Sequence, residues 1–298
     1  MALAALSGDE QRIVFTQLCN VLDPRPAVAL SSANNELRTA TQEGRQQLRA
    51  DHEAAAALCL KVGLRGCKEL REAKHVGWIN KGLAADELAL LGMLGSVLSA
   101  LETLVLVEHS GVAGPDGVQR LAEGLGAGAL PAVTRLFLVN MNVGKAGASE
   151  LAATLGRGAL PRLKRLVLID DAIGDAALVA LAPALRRLPA LEELSLIVNP
   201  LGDEGLAALV APPPPAGALP SPTGVLTKLK MLSLNGTQVS DAGWSAALAA
   251  ALDGGALPLL EGLCHFGIPA SAAARAAVHH AREALARGRE PPFLPVHS

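Results

Sequence analysis

Tyrosine is absent from this 298-residue chain, and two Trp and four Phe hold the aromatic share at 2%. Nucleic-acid platforms stack bases on rings, so that class of partner is set aside. Charge is scarce as well: 26 basic residues stand against 28 acidic ones, 18% of the chain together, for a formal net charge of −2. No global basic field is available to phosphates or to a membrane surface. The four cysteines (Cys19, Cys59, Cys67 and Cys264) form no Cys-x-x-Cys pair, which predicts reduced thiols and a cytoplasmic or nuclear location. Long apolar runs are missing despite a mean hydropathy of +0.34. Leu88–Leu101 is uncharged but falls short of the ~20 residues a membrane span needs. Gly205–Thr227 is long enough but carries Pro212, Pro213, Pro214, Pro215, Pro220 and Pro222, which no spanning helix tolerates. Met1–Leu6 has no basic residue and runs into Asp9 and Glu10, so neither a secretory leader nor a membrane partner is expected.

What the chain has in quantity is leucine at fixed intervals. A Leu-x-Leu pair recurs at Leu104/Leu106, Leu136/Leu138, Leu166/Leu168, Leu194/Leu196 and Leu232/Leu234, with a degraded copy at Leu263. An aliphatic residue follows each full pair at Val112, Val143, Ile173, Leu201 and Val239, then a Gly/Asp turn and a helical stretch. Alternate leucines place both side chains on one strand face, while Leu178, Leu181, Leu185 and Leu188 keep helical spacing. Asp175, Asp203 and Asp241 stand near helix starts, where a carboxylate is expected to cap free N–H groups of its own helix. Pro183 is expected to shorten or kink the helix that holds it. One such unit cannot bury its strand and helix faces, but stacked neighbours can.

This pattern resembles the leucine-rich repeat family, in the ribonuclease-inhibitor-like subtype with a helix in every repeat. The resemblance implies an α/β solenoid, a horseshoe with parallel strands on its concave face and helices on its convex face. It covers residues 67–290 in about six repeats, with a Pro-rich insertion at 212–222 and a tail at 291–298. The column where the family carries Asn or Cys holds His109, Met141, Asp171, Asn199 and Thr237, of which only Asn199 matches. Residues 67–101 are expected to form an atypical first repeat or cap around Trp78, and Ser271–Arg289 a C-terminal helix capped by Ser271.

Ahead of the repeats, Val14, Phe15, Leu18 and Val21 keep helical spacing, and Leu22-Asp23-Pro24-Arg25 forms a turn before an apolar stripe that includes Leu30. Residues 1–45 resemble an F-box: Leu22–Arg25, Leu30, Ser31 and Arg38 match, whereas the opening Leu-Pro-x-Glu is missing and Leu37 fills the tryptophan position. The resemblance implies a Skp-type adaptor of a cullin ubiquitin ligase as partner, contacted by Leu18, Leu22, Pro24 and Leu30. The alternative is a helical cap for the solenoid. Residues 46–66, within a helical stretch Thr39–Leu64, are expected to be a connecting helix, and the solvated face of that stretch carries Arg45, Arg49, Asp51 and Glu53.

Catalytic constellations are not found. The run Gly124, Gly126, Gly128 follows a helix rather than opening one, so it reads as helix termination, not a phosphate cradle. His279 and His280 diverge by about 100° on a helix, and Cys264 and His265 point to opposite faces of a strand. No enzymatic role, cofactor or metal is expected. The residues flanking each Leu-x-Leu pair point away from the core, and Val105, Arg135, Phe137, Val139, Arg165, Val167, Ile169 and Ile197 make an apolar strip rimmed by charge. Such a strip is a candidate site for a protein partner; the alternative is that a terminal segment folds over it. Three readings stand: a substrate-recognition subunit of an F-box ubiquitin ligase, a plain repeat scaffold, and a GTPase activator. The last rests on the Ran GTPase-activating proteins, which share the long-repeat subtype and usually carry an acidic tail, where this chain has Arg282, Arg287 and Arg289.

Overall fold

The computed structural model describes residues 6–211, 226–254 and 257–288, with side chains through 283. The Pro-rich stretch 212–222 and the tail 291–298 lie outside the described residues. Seven strands form one parallel sheet in strict chain order: β1 (His75–Ile79), β2 (Thr103–Val107), β3 (Arg135–Val139), β4 (Arg165–Ile169), β5 (Glu193–Ser195), β6 (Met231–Ser233) and β7 (Gly262–Cys264). Leu104, Leu136, Leu166, Leu194, Leu232 and Leu263 pair across it in one register column. All of these but Leu263 are buried, at about 1.5–3 kcal/mol of transfer free energy for each fully buried side chain. The fold is therefore an α/β leucine-rich solenoid.

The strand count exceeds the expected six because β1 belongs to the array. Val76 and Trp78 stand in the leucine columns, paired with Leu104 and Leu106, and both are buried. Trp78 is thus a regular core position and not part of a cap.

Helices α1 (Gly8–Leu18), α2 (Arg25–Ser31), α3 (Asn35–Ala40), α4 (Gln42–Val62) and α5 (Cys67–Glu72) precede the sheet. The connecting helix, expected from position 46, starts at Gln42, because Thr41 turns the chain there and donates its Oγ1 hydroxyl to Leu37 O at 2.6 Å. Phe15, Ala27 and Leu48 form a small core of their own, whereas Leu22 lies in the main core with Ala55, Leu58 and Leu70. Asp23 ties the Leu22–Arg25 turn to the solenoid, binding Arg25 at 2.7 Å and Arg71 of α5 at 2.6 Å. The two guanidinium groups, Arg25 first, hold its carboxyl well below the usual range.

Between and after the strands lie α6 (Ala85–Leu94), α7 (Gly117–Gly124), α8 (Gly144–Gly156), α9 (Asp175–Leu185), α10 (Asp203–Val210), a π-helical segment Ala242–Ala249 that continues as α11 (Ala250–Asp253), and α12 (Ala272–Gly288). Ser271 caps α12 as expected, accepting from Ala274 N at 3.2 Å. Pro183 does not break α9, which runs two residues beyond it. Helices α6 and α7 touch backbone to backbone: a Cβ on Gly92 would stand 2.3 Å from Leu121 O, and one on Gly124 would stand 2.6 Å from Ala89 O. Gly124 therefore ends its helix and also permits this approach.

Two polar ladders run between units. In the first, Glu108 takes the place expected of His109: it is buried, and its Oε2 accepts from Gly82 N at 2.7 Å and Leu83 N at 3.3 Å. The reason is a longer loop after β2, turned at Gly111 and Gly114 with φ of 67° and 65°. The same loop leaves Val112 exposed and buries Ala113 in its stead. Further along, Asn199 Oδ1 accepts from Asp171 N and Ile173 N, each at 3.0 Å, and its Nδ2 donates to Leu168 O at 2.9 Å. Asp171 does half of this, its Oδ1 accepting from Met141 N at 2.7 Å while Oδ2 is buried without a partner. Burial pushes its carboxyl up to about 7.

The second ladder corrects the capping expectation. Asp175 and Asp203 form no side-chain cap on their own helices. Instead Asp175 Oδ1 accepts from Gly202 N at 2.7 Å and Gly205 N at 2.8 Å in the next unit, and Asp203 Oδ1 accepts from Ser240 N at 2.8 Å. Asp241 likewise accepts from Ser271 N. Each carboxylate thus serves N–H groups at or just before the start of its successor's helix. Gly243 leaves room for this, since a Cβ there would stand 2.2 Å from Asp203 Oδ1.

Candidate functional site: the concave face

Every strand contributes alternate residues to the face opposite the leucines. The register sets these in columns. The first column runs His75, Thr103, Arg135, Arg165, Glu193, Met231, and the middle one Gly77, Val105, Phe137, Val167, Ser195, Ser233. The third holds Ile79, Val107, Val139 and Ile169. Ile197 lies beyond β5 but prolongs this column, because its carbonyl accepts from Asp170 N at 3.1 Å as that of Ile169 accepts from Asn140 N at 2.8 Å. The sheet therefore brings the eight expected residues together.

They do not serve alike. Val105, Phe137, Val139, Ile169 and Ile197 are half-buried, the condition of side chains open on one side. Val167 is only 8% exposed, yet outside the main core, so it is floor beneath its neighbours. Arg165 is committed within the sheet: its Nη2 donates to Glu193 Oε1 at 2.6 Å, and its Nε meets the same carboxylate. Arg135 is different. Its Nε donates to Thr103 Oγ1 at 3.0 Å, and it forms no ion pair among the described residues. A cleft of about 270 Å³ lies beside it, lined by Thr134, Arg135, Lys164, Arg165, Glu192 and Glu193. Glu192 bridges Lys230 at 3.0 Å and Lys164 at 3.4 Å, which hold its carboxyl below the ordinary value.

Ile79 is the site residue that the repeat pattern missed. It is 57% exposed and extends the third column onto β1. Its signal was the alternation in His75-Val76-Gly77-Trp78-Ile79, which carries no leucine.

The adaptor residues are placed less coherently. Leu18 is 40% exposed, whereas Leu22 is 4% exposed and belongs to the joint with the solenoid. Leu30 packs against the Phe15 cluster, and Pro24 is the N-cap of α2. His265 stands edge-on to Trp244, with ring centroids 5.2 Å apart at 77°, and His279 Nδ1 lies 3.4 Å from Glu283 Oε1 on α12. Among the described residues no three His, Cys, Asp or Glu gather as a metal site would require, and no helix is long and apolar enough to cross a membrane.

No family model matches the sequence, and no curated protein matches it. Among solved structures, the actin-binding site 2 of leiomodin-1 is similar at 15% identity over 49% of this chain and 80% of that one, with a TM-score of 0.36. An internalin (inlF) from Listeria monocytogenes is similar at 16% identity over 77% of this chain and 72% of that one, with a TM-score of 0.30. These likenesses are too slight to carry function across, so the concave surface has to be read from its own residues.

Proposed function

We propose that this chain is a non-catalytic protein-recognition module whose concave face grips a segment of a partner protein. The observation that carries the reading is one column of five aliphatic residues, Ile79, Val107, Val139, Ile169 and Ile197, across five neighbouring strands. Strands ~4.8 Å apart make that strip about 19 Å long. Phe137 stands beside it in the middle column, and Arg135, at the other end of β3, offers a guanidinium fork to a carboxylate of the partner. Apolar strips with a polar rim mark protein interfaces, and aromatic and Arg side chains dominate their energetics. Affinity purification with the intact chain and with Phe137→Asp plus Ile169→Asp tests it. Both side chains are half-buried rather than core, so the variant is expected to fold and to lose its partners at least about 30-fold, as removal of a hot spot does. Recovery of the same partners by both proteins would sink the reading.

A second, narrower reading makes the module a substrate-recognition subunit of a Skp–cullin–F-box ligase. It is supported by the three short helices α1–α3 and by exposed Ile13, Leu18 and Val28 on them. Leu22 is unavailable to an adaptor because it is buried. On this reading, a pull-down of a Skp-type adaptor by the full chain succeeds and is abolished by Leu18→Asp plus Val28→Asp. Failure of the unaltered chain to retain the adaptor removes the ligase role while leaving the concave site standing.

A further inference from the structure

A large cavity lies away from the concave face. It spans about 910 Å³ between α2, α3 and α4, and its lining includes Arg38 of α3 together with Arg45, Arg49, His52 and Glu53 of α4. That volume sits within the range of small-molecule sites, about 300–1,000 Å³. Arg45, Arg49 and His52 follow one another at four- and three-residue steps, so α4 turns all three to one side.

The cavity's charge is out of keeping with the chain's. The protein carries a formal −2, yet three arginines line this cavity against the single acid Glu53. None of the three forms an ion pair among the described residues. Arg45 is the most confined: its Nε is sealed from solvent with no acceptor, and its Nη2 reaches only the carbonyl oxygen of Arg38, at 3.5 Å. Crowding like charges around one cleft focuses their field on an anion. His52 is held in place through Nδ1, 2.6 Å from Val21 O; a carbonyl only accepts, so that nitrogen donates. No Phe, Tyr or Trp ring lines the cavity.

We propose that this cavity binds a compact polyphosphate anion, with clustered phosphoryl groups held by the guanidinium forks of Arg38, Arg45 and Arg49. Planar guanidinium groups match phosphoryl oxygens in pairs. The site is independent of the concave face, so either stands if the other fails.

Isothermal titration calorimetry of the full chain with inorganic tripolyphosphate, at constant ionic strength and with citrate as the control anion, tests the proposal. Co-sedimentation with phosphatidylcholine vesicles, with and without phosphatidylinositol bisphosphate, asks whether a lipid headgroup supplies the phosphoryl cluster instead. The expected result is saturable binding of tripolyphosphate or of the phosphoinositide vesicles, with citrate much weaker. Arg45→Gln should weaken that binding about tenfold, about 1.4 kcal/mol. Arg38→Gln plus Arg49→Gln changes exposed side chains only, and it decides the matter if Arg45→Gln does not fold. No binding to either phosphoryl probe overturns the proposal. So does equal binding of citrate, or affinity unchanged in the double variant.

Discussion

Replacing Asp171 by Asn should stabilise the protein above neutral pH by on the order of 4 kcal/mol, and should do little in acid. Burial lifts the folded-state carboxyl to about 7 from an ordinary 3.8. Between those values the folded protein holds a proton that the unfolded chain releases, so stability falls as pH rises through this window and levels off above it. Asn has no proton to lose. Its amide would also occupy the place of Oδ2, which is buried without a partner, and donate to a carbonyl as Asn199 Nδ2 donates to Leu168 O. Urea unfolding of both proteins at about pH 4 and about pH 8 measures the effect. The curves should nearly coincide in acid and part at the higher pH. An equal gap at both ends would mean that Asp171 is not the titrating group.

Gly92→Ala should open the solenoid between its first two helical layers. The added Cβ would meet Leu121 O at 2.3 Å and Gly124 Cα at 3.0 Å. Both are backbone atoms, so no side chain can swing aside and α6 must move off α7. Overpacking of this kind costs about 1–3 kcal/mol where side chains can relax, and a backbone clash lies at or beyond the upper end. Each unit of a solenoid leans only on its neighbours, so the loss stays local and unfolding should split into two steps. Gly126→Ala is the control, since a Cβ there meets nothing within 4 Å. Calorimetry showing one unshifted transition for Gly92→Ala would contradict the close approach of the two helices.

The leucine columns were legible because a strand's period of two and a recurring step leave few alternatives. The first unit was legible only as an atypical repeat or a cap, because Val76 and Trp78 fill its columns and a search for leucine passes over them. Glu108 escaped through a slip of one residue, since loop length after β2 cannot be read from spacing. The carboxylates of Asp175 and Asp203 were recognised as caps, but spacing along one chain does not show which helix an acid serves. That took the neighbouring unit. For the site, outward-facing positions followed from alternation alone, whereas the pairing of Arg165 with Glu193 depended on strand register. Arg45 and Arg49 look like an ordinary solvated helix face in the sequence. Only the placement of Val28 of α2 and Arg38 of α3 across from that face makes a cavity of it.

The forward reach of Asp175 and Asp203 gives the solenoid a reading direction. From α9 onward a unit offers a carboxylate and its successor supplies the N–H groups, so each of these joints is made of halves encoded in different repeats. A unit can then be cut out cleanly only at equivalent carboxylates. Removing residues 176–203 would leave Asp175 where Asp203 stood, facing Ser240. A cut placed between Asp175 and Gly202 that ignored this phase would strand an acceptor on one side and bare N–H groups on the other. The repeat that matters for shortening or lengthening this protein therefore runs from aspartate to aspartate, not from leucine pair to leucine pair.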